Sequence, residues 1–341
     1  MSNKFNIAVV GATGNVGREI LQILEQREFP IDNIYLLASS RSKGKKIEFK
    51  EKEVVVENLA DFDFSKVQIG LFSPGGTVSA EYAPKAAKKG CIVIDNTSHF
   101  RMNNDVPLVV PEVNADVLQD YFDQEVRSNI IANPNCSTIQ MLVALKPLHD
   151  LSIIKRVVVS TYQSVSGAGK LAMDELWNQT RKMFFNETVE VKNFTKKIAF
   201  NVIPHIDKFL DDGSTKEEQK MVNETKKILD APNMGISATC VRVPVLRSHS
   251  EAVWIETEQK LTPEEAREIL KKSPGLIVRD EPANGGYPMP WDVDKTVETF
   301  VGRIREDFSH PKGLTFWVVA DNLNKGAALN SIQIAEVLEA G

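Results

Sequence analysis

Phe5-Asn-Ile-Ala-Val-Val10 runs directly into Gly11-Ala-Thr-Gly-Asn-Val-Gly17, and this junction decides the fold of the chain. The first segment has the composition of a short buried strand, and the apolar residues after Gly17 recur at helical spacing. A strand, a glycine turn and a helix form the phosphate-binding start of a dinucleotide-binding fold. In that fold Gly11 would allow the tight turn, and Gly14 would let the backbone approach a pyrophosphate. The spacing is G-x-x-G-x-x-G rather than the stricter G-x-G-x-x-G, so a plain strand-to-helix turn is the alternative. The junction favours a doubly wound, Rossmann-type α/β domain.

The end of the second strand indicates which dinucleotide would bind. The predicted strand Ile34–Ala38 is followed by Ser39-Ser-Arg-Ser42. NAD-binding domains place an acidic residue near this position to hold the ribose 2′-hydroxyl, and none is present here. Hydroxyl groups and a positive charge suit a 2′-phosphate instead, so the sequence predicts NADP, with Ser39 and Arg41 as ligands. The lysines that follow are interpreted as a solvated basic loop: Lys43, Lys45 and Lys46.

Two further strand-and-helix units continue the pattern. A predicted strand over residues 67–72 is followed by Ser73-Pro-Gly-Gly-Thr77, a helix over about 78–89 and a strand over 91–95. The glycine pair lies where a doubly wound sheet lines its ligand crevice. The polar segment after the last of these strands contains Arg101, a candidate anion ligand for which a surface ion pair is the alternative.

Asn133-Pro-Asn-Cys-Ser-Thr138 carries the candidate nucleophile. The apolar run Ile130–Ala132 predicts a short strand before it, and apolar spacing predicts a helix from residue 137 or 138 to Leu148. Cys136 would then lie at or just before a helix N-terminus, where backbone N–H groups and the helix dipole lower the pKa of a thiol. The alternative is a buried structural cysteine. The other two cysteines lie in apolar, strand-like runs and are interpreted as core residues: Cys91 and Cys240.

The second half of the chain supplies polar groups next to predicted strands. A β-branched strand over residues 154–162 ends at Gln163, which would orient a carbonyl or carboxylate group, or else cap the loop. The glycine-rich loop Ser164-Val-Ser-Gly-Ala-Gly-Lys170 opens a helix, and such loops bring backbone donors close to a ligand.

Charged and titratable residues follow in three places. Glu217 and Lys220 share one face of a predicted helix, an arrangement that is usually a solvated ion pair. Arg242 lies inside a strand-like run over residues 236–246 and therefore needs an anion, either a protein carboxylate or a substrate. His249 lies in a predicted loop just before the next strand. A lone histidine is more often structural, but a histidine near an activated cysteine is what nucleophilic catalysis needs.

Composition limits the classes of protein to which the chain can belong. Its 341 residues suffice for two domains, and 42% hydrophobic with 26% charged residues is ordinary for a soluble globular protein. A formal net charge of -5 argues against a nucleic-acid partner. Three cysteines without short-range pairing favour a reducing compartment. With no signal-peptide pattern, no apolar run of membrane length and no cluster of metal ligands, we expect a cytoplasmic protein without a bound metal.

These parts suit the reduction of an activated acyl group through a thioester. The thiolate would attack a carbonyl group, a leaving group would depart, and hydride from the nicotinamide would reduce the thioester. An imidazole would shuttle protons, and donors near the cysteine would hold the oxyanion.

Over essentially its whole length, the chain resembles the aspartate-β-semialdehyde dehydrogenases. The motifs that carry the resemblance are Gly11-Ala-Thr-Gly-Asn-Val-Gly17, Ser98-His-Phe-Arg-Met102, Asn133-Pro-Asn-Cys-Ser-Thr138, Tyr162-Gln-Ser-Val-Ser-Gly-Ala-Gly169, Glu217-Glu-Gln-Lys-Met221, Val241-Arg-Val-Pro-Val-Leu-Arg-Ser-His249 and Asn322-Leu-Asn-Lys-Gly-Ala-Ala328. Together they are far more specific than the glycine turn alone. The resemblance implies reductive dephosphorylation of L-4-aspartyl phosphate to L-aspartate 4-semialdehyde with NADPH, in the biosynthesis of lysine, threonine, methionine and diaminopimelate.

The resemblance also implies a role for each matching residue. In catalysis, Cys136 would be the acyl-thioester nucleophile, His249 the general acid and base, and Gln163 the residue that orients the substrate. The residues that would bind the substrate are Arg242 at the α-carboxylate, Glu217 at the ammonium, Arg101 and Lys220 at phosphate, and Asn135. Those that would bind NADP are Gly11, Thr13, Gly14, Asn15, Val16, Ser39, Arg41, Ser42, Ser73, Ser166, Gly167, Gly169 and Asn322.

Members of this family join a discontinuous Rossmann domain to an α+β domain that holds the catalytic residues and the dimer interface. The matching division here assigns residues 1–133 and 322–341 to the dinucleotide-binding domain. Residues 134–321 would form the catalytic and dimerisation domain of a homodimer.

Three other functions stay open at this point. N-acetyl-glutamyl-phosphate reductase shares the fold and the chemistry, but its nucleophile motif is expected to read glycine-cysteine-tyrosine where this chain has Asn135-Cys-Ser137. Its substrate also has no free ammonium for Glu217 to bind. A phosphorylating dehydrogenase of the glyceraldehyde type fits less well, because Arg242, Glu217 and Lys220 suit an amino-acid substrate. A non-catalytic NADP-sensing protein is the alternative from another class.

Overall fold

The structure is a computed structural model that describes residues 4–124 and 127–340 of the chain. Its strands are β1 (Phe5–Val10), β2 (Ile31–Ala38), β3 (Lys46–Phe49), β4 (Lys52–Asn58), β5 (Ile69–Phe72), β6 (Ile92–Asp95), β7 (Ile130–Ala132), β8 (Ile154–Gln163), β9 (Gly235–Arg242), β10 (His249–Thr257), β11 (Leu276–Val278), β12 (Thr299–Glu306) and β13 (Gly313–Ala320). Its α-helices are α1 (Asn15–Gln26), α2 (Gly76–Lys88), α3 (Pro111–Asn114), α4 (Val117–Phe122), α5 (Cys136–Leu151), α6 (Lys170–Phe184), α7 (Lys216–Ile228), α8 (Pro263–Lys272) and α9 (Leu329–Ala340). Within the described ranges, no helix is both long and apolar enough to cross a membrane.

The first compact unit runs to Asn135 and resumes at Ala327. Its sheet has the strand order β3-β4-β2-β1-β5-β6-β7, and the neighbouring strands are parallel except for the β3–β4 pair. All four residues of β5 and all three of β7 are buried, which explains why these strands are continuously apolar rather than alternating. The apolar residues of α1 and α9 join the same core. The predicted doubly wound α/β domain is confirmed.

Two glycines make the turn between β1 and α1 possible. Gly11 has φ +86°, in the left-handed region, and a Cβ atom there would lie 2.8 Å from the carbonyl oxygen of Ser73. A Cβ atom on Gly17 would lie 2.3 Å from the carbonyl oxygen of Gly11. Only hydrogen fits at either position, so the close packing of α1 on the strand end depends on both glycines.

The second compact unit runs from Cys136 to Gly326 and is built on a six-stranded sheet. The strand order is β11-β12-β13-β10-β8-β9, in which β10 is antiparallel to both β8 and β13, and β9 is parallel to β8. Helix α5 packs against β8, β10, β12 and β13, with α7 and α8 beside it. The residues of β10 alternate accordingly: His249, Glu251 and Val253 are buried, whereas Ala252 and Trp254 on the other face are half-buried. The central strand therefore directs its odd-numbered side chains toward the core.

Two elements of the sheets differ from the sequence-based predictions. His249 was expected in a loop before a strand beginning at Ala252, but it is the first residue of β10 and pairs with Ala320 of β13. The strand around Arg242 was expected to continue to residue 246, but β9 ends at Arg242. In the first case the polar residues His249, Ser250 and Glu251 are all buried at the start of a central strand, which their polarity does not indicate.

The hairpin of β3 and β4 was not predicted at all. Its strands carry lysine and glutamate on their exposed face, and only one face of β3 is buried. Its turn is made by Lys50 and Glu51, both with positive φ, so no glycine or proline marks it in the sequence.

Residues 186–200 have little regular structure, and side chains of α6 hold them in place. The Glu175 carboxylate accepts hydrogen bonds from the backbone N–H groups of Lys192 and Asn193. The Gln179 side-chain oxygen accepts from the N–H groups of Ile198 and Ala199. The segment thus gets its backbone hydrogen bonds from side chains of a neighbouring helix, which no local sequence pattern reveals.

Candidate active site

Cys136 is the first residue of α5, four residues after the end of β7. Its side chain is neither buried nor fully exposed. The helix begins one or two residues earlier than the sequence predicted, so the thiol belongs to the first turn. There the backbone N–H groups of a helix N-terminus and the helix dipole favour a thiolate.

Gly326 makes room for Cys136. A Cβ atom on Gly326 would lie 2.8 Å from the Cβ atom of Cys136. Gly326 belongs to a π-helical turn, Asn324–Ala328, that precedes α9. Such turns are rare and occur frequently at functional sites. Any side chain at this position would displace the cysteine.

The other two cysteines lie in the core, as expected. Cys91 is fully buried, and burial raises the pKa of its thiol to about 12. Cys240 is also fully buried, and burial, with the nearby charge of Glu217, raises the pKa of its thiol further. Neither thiol can supply a thiolate near neutral pH.

His249 is fully buried, and one of its ring nitrogens is held by the backbone. The N–H group of Ser164 donates to Nδ1 at 3.0 Å, and the Ser164 hydroxyl lies 3.0 Å from the same nitrogen. A backbone N–H is always a donor, so Nδ1 must be the acceptor and the neutral ring carries its proton on Nε2. Burial lowers the pKa of His249 to about 3, and the Arg242 charge adds to this effect. The imidazole is therefore neutral at physiological pH.

The Nε2 atom of His249 lies against Gly167, beside the guanidinium of Arg242. Nε2 has no hydrogen-bond partner among the described residues. A Cβ atom on Gly167 would lie 3.2 Å from this nitrogen and 3.1 Å from Nη1 of Arg242. Strands β9 and β10 and the loop after β8 thus bring the neutral His249 ring and the Arg242 cation together at Gly167, a residue without a side chain.

A cluster of buried charged side chains lies beside His249. Nη1 of Arg242 donates to the carbonyl oxygen of Ser164 at 2.7 Å. Burial lowers the pKa of the Arg242 guanidinium, and the charges of Glu217 and Cys136 oppose that effect. Nε2 of Gln163 donates to Oε1 of Glu217 at 3.3 Å. Gln163, Glu217 and Arg242 are each more than nine-tenths buried, so the charges of Glu217 and Arg242 act in a medium of low dielectric constant.

Lys220 extends the cluster toward solvent. Its ammonium lies 3.0 Å from Oε2 of Glu217 and 2.9 Å from Oδ2 of Asp207. Burial acts to lower the pKa of Lys220, but the two carboxylates outweigh it and raise that pKa. The expectation that Glu217 and Lys220 form a solvated ion pair is wrong, because the Glu217 side chain is only 8% exposed.

Sequence reasoning missed two residues of this cluster. Ser164 fixes the His249 ring through both its N–H group and its hydroxyl. Its only sequence signal was its position directly after a strand end. Asp207 pairs with Lys220 and has a positive φ of 66°. That backbone conformation, which Asp and Asn tolerate best, gave no signal that could be separated from an ordinary turn.

Asn322 holds the loops around His249 together. Its side-chain oxygen accepts from the Ser248 N–H at 2.9 Å and from the hydroxyls of Ser164 and Ser166, both at 3.1 Å. The neighbouring Asp321 carboxylate accepts from Nε of Arg247 at 2.6 Å. The two predicted NADP ligands Asn322 and Ser166 thus lie beside the imidazole.

In the first unit, a pocket of about 500 Å³ opens at the glycine turn. Its lining includes Gly11, Thr13, Gly14, Ser39, Arg41 and Ser73, and no acidic residue is among the described residues that line it. The Arg41 side chain is exposed at the start of a 3-10 turn, Ser40–Ser42. Nearby, the ammonium groups of Lys43 and Lys46 lie within 4 Å of Asp61 and Glu53, as expected for a solvated loop. A cradle with a free guanidinium and hydroxyls fits a dinucleotide with a 2′-phosphate.

Arg101 also lies in the first unit, and its side chain is buried rather than exposed on the surface. It is only 7% exposed, and its Nε and Nη2 atoms donate to the carbonyl oxygens of Asn133 and Asn96 at 2.9 and 2.8 Å. These bonds direct the guanidinium against the backbone that leads to Asn135 and Cys136.

Two family models match most of the chain. One is described as the NAD binding domain of semialdehyde dehydrogenase and matches residues 6–121. The other is described as the dimerisation domain of semialdehyde dehydrogenase and matches residues 145–325.

Named relatives agree with these models. An aspartate-semialdehyde dehydrogenase from Aquifex aeolicus is 54% identical over 336 residues, covering 98% of each chain. A solved structure of aspartate semialdehyde dehydrogenase II from Vibrio cholerae, complexed with ASA, is 50% identical with a TM-score of 0.95 and covers 99% of this chain and 98% of that one. The enzyme from Candida albicans, solved with NADP, is 26% identical with a TM-score of 0.77 and covers 99% of each chain.

The environments of the three cysteines predict selective alkylation. With limiting iodoacetamide at neutral pH, Cys136 should be labelled at least about tenfold faster than Cys91 or Cys240, because only its thiol is accessible and placed at a helix N-terminus. Peptide mass spectrometry of the native protein measures the three rates. A Cys136→Ser variant should lose the fast label, and equal labelling of a buried cysteine in the native protein would contradict the assignment.

Proposed function

The chain belongs to the aspartate-semialdehyde dehydrogenase family, and from that premise we propose how its own residues carry out the family's reaction. The reaction is the NADPH-dependent reductive dephosphorylation of L-4-aspartyl phosphate to L-aspartate 4-semialdehyde. It serves the biosynthesis of lysine, threonine, methionine and diaminopimelate. The observation that supports the assignment of roles most strongly is the neutral, backbone-locked His249, whose Nε2 lies with Nη1 of Arg242 against Gly167.

Cys136 is the nucleophile. Its thiolate attacks the carbonyl carbon of the acyl phosphate, a carbon–sulfur bond forms, and the carbon–oxygen bond to phosphate breaks. The products of this step are an aspartyl thioester on Cys136 and inorganic phosphate. When bound, NADPH supplies the hydride that the second half of the reaction needs. The first turn of α5 supports this role, because its backbone N–H groups stabilise the thiolate before attack and again when the thiolate leaves.

His249 stabilises the oxyanion. Its Nε2–H donates to the carbonyl oxygen as negative charge develops there, and in the reverse direction the same N–H donates to the oxyanion that forms when the thiolate adds to the aldehyde. The Ser164 N–H supports this role, since it keeps Nδ1 as an acceptor and so keeps the proton on Nε2. A neutral ring also avoids adding a second cation beside Arg242.

Arg242 and Glu217 recognise the amino-acid part of the substrate. The planar guanidinium binds the α-carboxylate, and the Glu217 carboxylate binds the α-ammonium. Gln163, which donates to Glu217, orients the carboxylate and the substrate. The phosphate is bound by Lys220, which then exchanges part of its pairing with Asp207 and Glu217, and by Arg101, with Asn135 next to the nucleophile.

NADP is the cofactor, and residues of the glycine turn and of the second strand end would hold it. We assign the pyrophosphate to the turn at Gly11, Thr13, Gly14, Asn15 and Val16, and the 2′-phosphate to Ser39, Arg41 and Ser42. Ser73, Ser166, Gly167, Gly169 and Asn322 complete the proposed set. The proposed dinucleotide-binding domain is 1–133 with 322–341, and the proposed catalytic and dimerisation domain is 134–321; the compact units change over at residues 135 and 327.

A homodimer and a cytoplasmic location complete the proposal. A dimerisation domain matches residues 145–325, and within the second unit Tyr162, Trp254 and Trp317 present partly exposed aromatic surface on the sheet face opposite α5. Three free cysteines, one of which must stay a reactive thiol, favour a reducing compartment.

Arg41 should control the choice of cofactor. Replacing it in Arg41→Ala removes a charge-assisted contact to the 2′-phosphate, so KM for NADPH should rise by about 10- to 100-fold while KM for NADH hardly changes. Steady-state absorbance assays with both cofactors measure the two ratios. Lys46→Ala, which removes an exposed lysine already paired with Glu53, is the matched control. Equal loss with NADPH and NADH would remove the basis for assigning the 2′-phosphate to Arg41.

Arg242 should control binding of the α-carboxylate. Arg242→Lys keeps the positive charge but loses the planar fork, so KM for aspartate semialdehyde should rise by about tenfold or more. The assay is NADPH formation with aspartate semialdehyde and phosphate, run beside N-acetylglutamate semialdehyde as the rival substrate. Arg181→Lys, an exposed substitution on α6, is the control. An unchanged KM in Arg242→Lys would show that this residue does not bind the α-carboxylate. Faster turnover of N-acetylglutamate semialdehyde than of aspartate semialdehyde would contradict the assigned substrate.

A further inference from the structure

Glu251 is a fully buried acid for which the mechanism has no use. It lies two residues after His249 on β10, so the two side chains project from the same face of the sheet. In the register of the sheet it lies opposite Thr161 of β8 and Val318 of β13. A glutamate at the centre of a sheet, with no exposed surface, is rare unless it is paired.

Besides Thr161, Gln140 of α5 is a polar side chain in contact with Glu251. Gln140 is fully buried and lies four residues after Cys136, on the same face of that helix. Its Nε2 donates to the carbonyl oxygen of His249 at 3.3 Å. One amide therefore connects the helix of the nucleophile to the backbone of the imidazole.

Three acceptor atoms at this place lack a donor. Among the residues that the structure describes, no group donates to Oε1 of Gln140 or to either carboxylate oxygen of Glu251. Burial raises the pKa of the Glu251 carboxyl well above its usual range, and its contact with the Gln140 side chain opposes this only in part. A proton on the carboxyl would supply the donor that Oε1 of Gln140 lacks.

We propose that Glu251 is a positioning residue: a protonated acid that donates to Oε1 of Gln140 and so fixes the amide that holds the His249 backbone. The inference rests on the proposed role of His249. The chain of bonds runs from the Glu251 hydroxyl through the Gln140 amide to the His249 carbonyl. It keeps the first residue of β10 in place, so that Nδ1 meets the Ser164 N–H and Nε2 meets the substrate.

The neutral form of the acid matters for the nucleophile as well. An ionised carboxylate beside Gln140, which lies one helical turn from Cys136, would disfavour the thiolate, because like charges repel strongly in a buried site. A neutral acid gives the hydrogen bond without that repulsion. Glutamine is neutral and also carries a hydrogen-bond donor, so the Glu251→Gln substitution should preserve the positioning of Gln140.

The test compares Glu251→Gln, Glu251→Leu and Gln140→Met in the full-length enzyme, with kcat and KM for aspartate semialdehyde measured separately. Glu251→Gln should keep kcat within about threefold. Glu251→Leu and Gln140→Met should each lower kcat by about 10- to 100-fold with KM nearly unchanged, because a small displacement of a catalytic group costs rate rather than binding. The double variant Gln140→Met/Glu251→Leu should be no slower than the slower single variant, since both break one chain of bonds.

Thr257→Val is the control for loss of a buried polar group, because Thr257 lies on the same face of β10 and its hydroxyl donates to the Gln259 carbonyl oxygen. It should lower stability and leave kcat unchanged. If Glu251→Leu does not fold, Gln140→Met and Glu251→Gln still decide the matter. In addition, isotope-edited infrared spectra of the wild type, labelled with carbon-13 glutamate, should show a protonated carboxyl band at neutral pH that Glu251→Gln lacks.

Three results would overturn the inference: a Glu251→Leu enzyme with normal kcat, a Glu251→Gln enzyme as slow as Glu251→Leu, or the absence of the protonated band. His249→Asn separates this failure from failure of the proposed function. Loss of activity in His249→Asn with no effect of Glu251→Leu would refute the positioning role alone. Full activity in His249→Asn would refute the role of the imidazole itself.

Discussion

The hydrogen bond from the backbone N–H of Ser164 to Nδ1 of His249 is the constraint on which the site depends. It exists because β8 and β10 are antiparallel neighbours, with Tyr162 opposite Ser250, so that the end of one strand meets the start of the other. It determines the tautomer of a fully buried ring, and so it determines that Nε2 carries the proton. Asn322 holds the same two strand ends from a third side.

The buried charges are balanced before any substrate binds. Arg242 and Lys220 face Glu217 and Asp207, and the charges of Arg242 and Glu217 have lost most of their hydration. Burying such a set is costly unless the members pair, so the cluster is stable only as a group. A zwitterionic amino acid with a phosphate brings the complementary charges, and it can exchange these protein pairs for its own without leaving a charge alone. This is the physical reason why the site suits an amino-acid acyl phosphate.

The sequence predicted the parts of the fold that depend on local rules. The glycine turn and the helix that carries Cys136 follow from spacing and from glycine conformation. The start of β10 at His249 could not be predicted, because its polar residues are buried by pairing with strands more than 60 residues away in one direction and 80 in the other. Ser164 and Glu251 were missed for the same reason: their roles come from long-range register. Asp207 was missed because its turn resembles any other turn in the sequence. The comparisons with relatives confirm the family, the fold and the cofactor, while the roles of individual residues stay predictions.

The central claim is that the acyl group passes through the sulfur of Cys136. The most direct measurement is the mass of the protein after it is mixed with aspartate semialdehyde and NADP in the absence of phosphate, quenched in acid and digested. If the acyl group passes through this sulfur, the peptide that carries Cys136 should gain one aspartyl group. That group should be released when phosphate is added before the quench. Turnover without any such adduct, or an adduct on another residue, would contradict it.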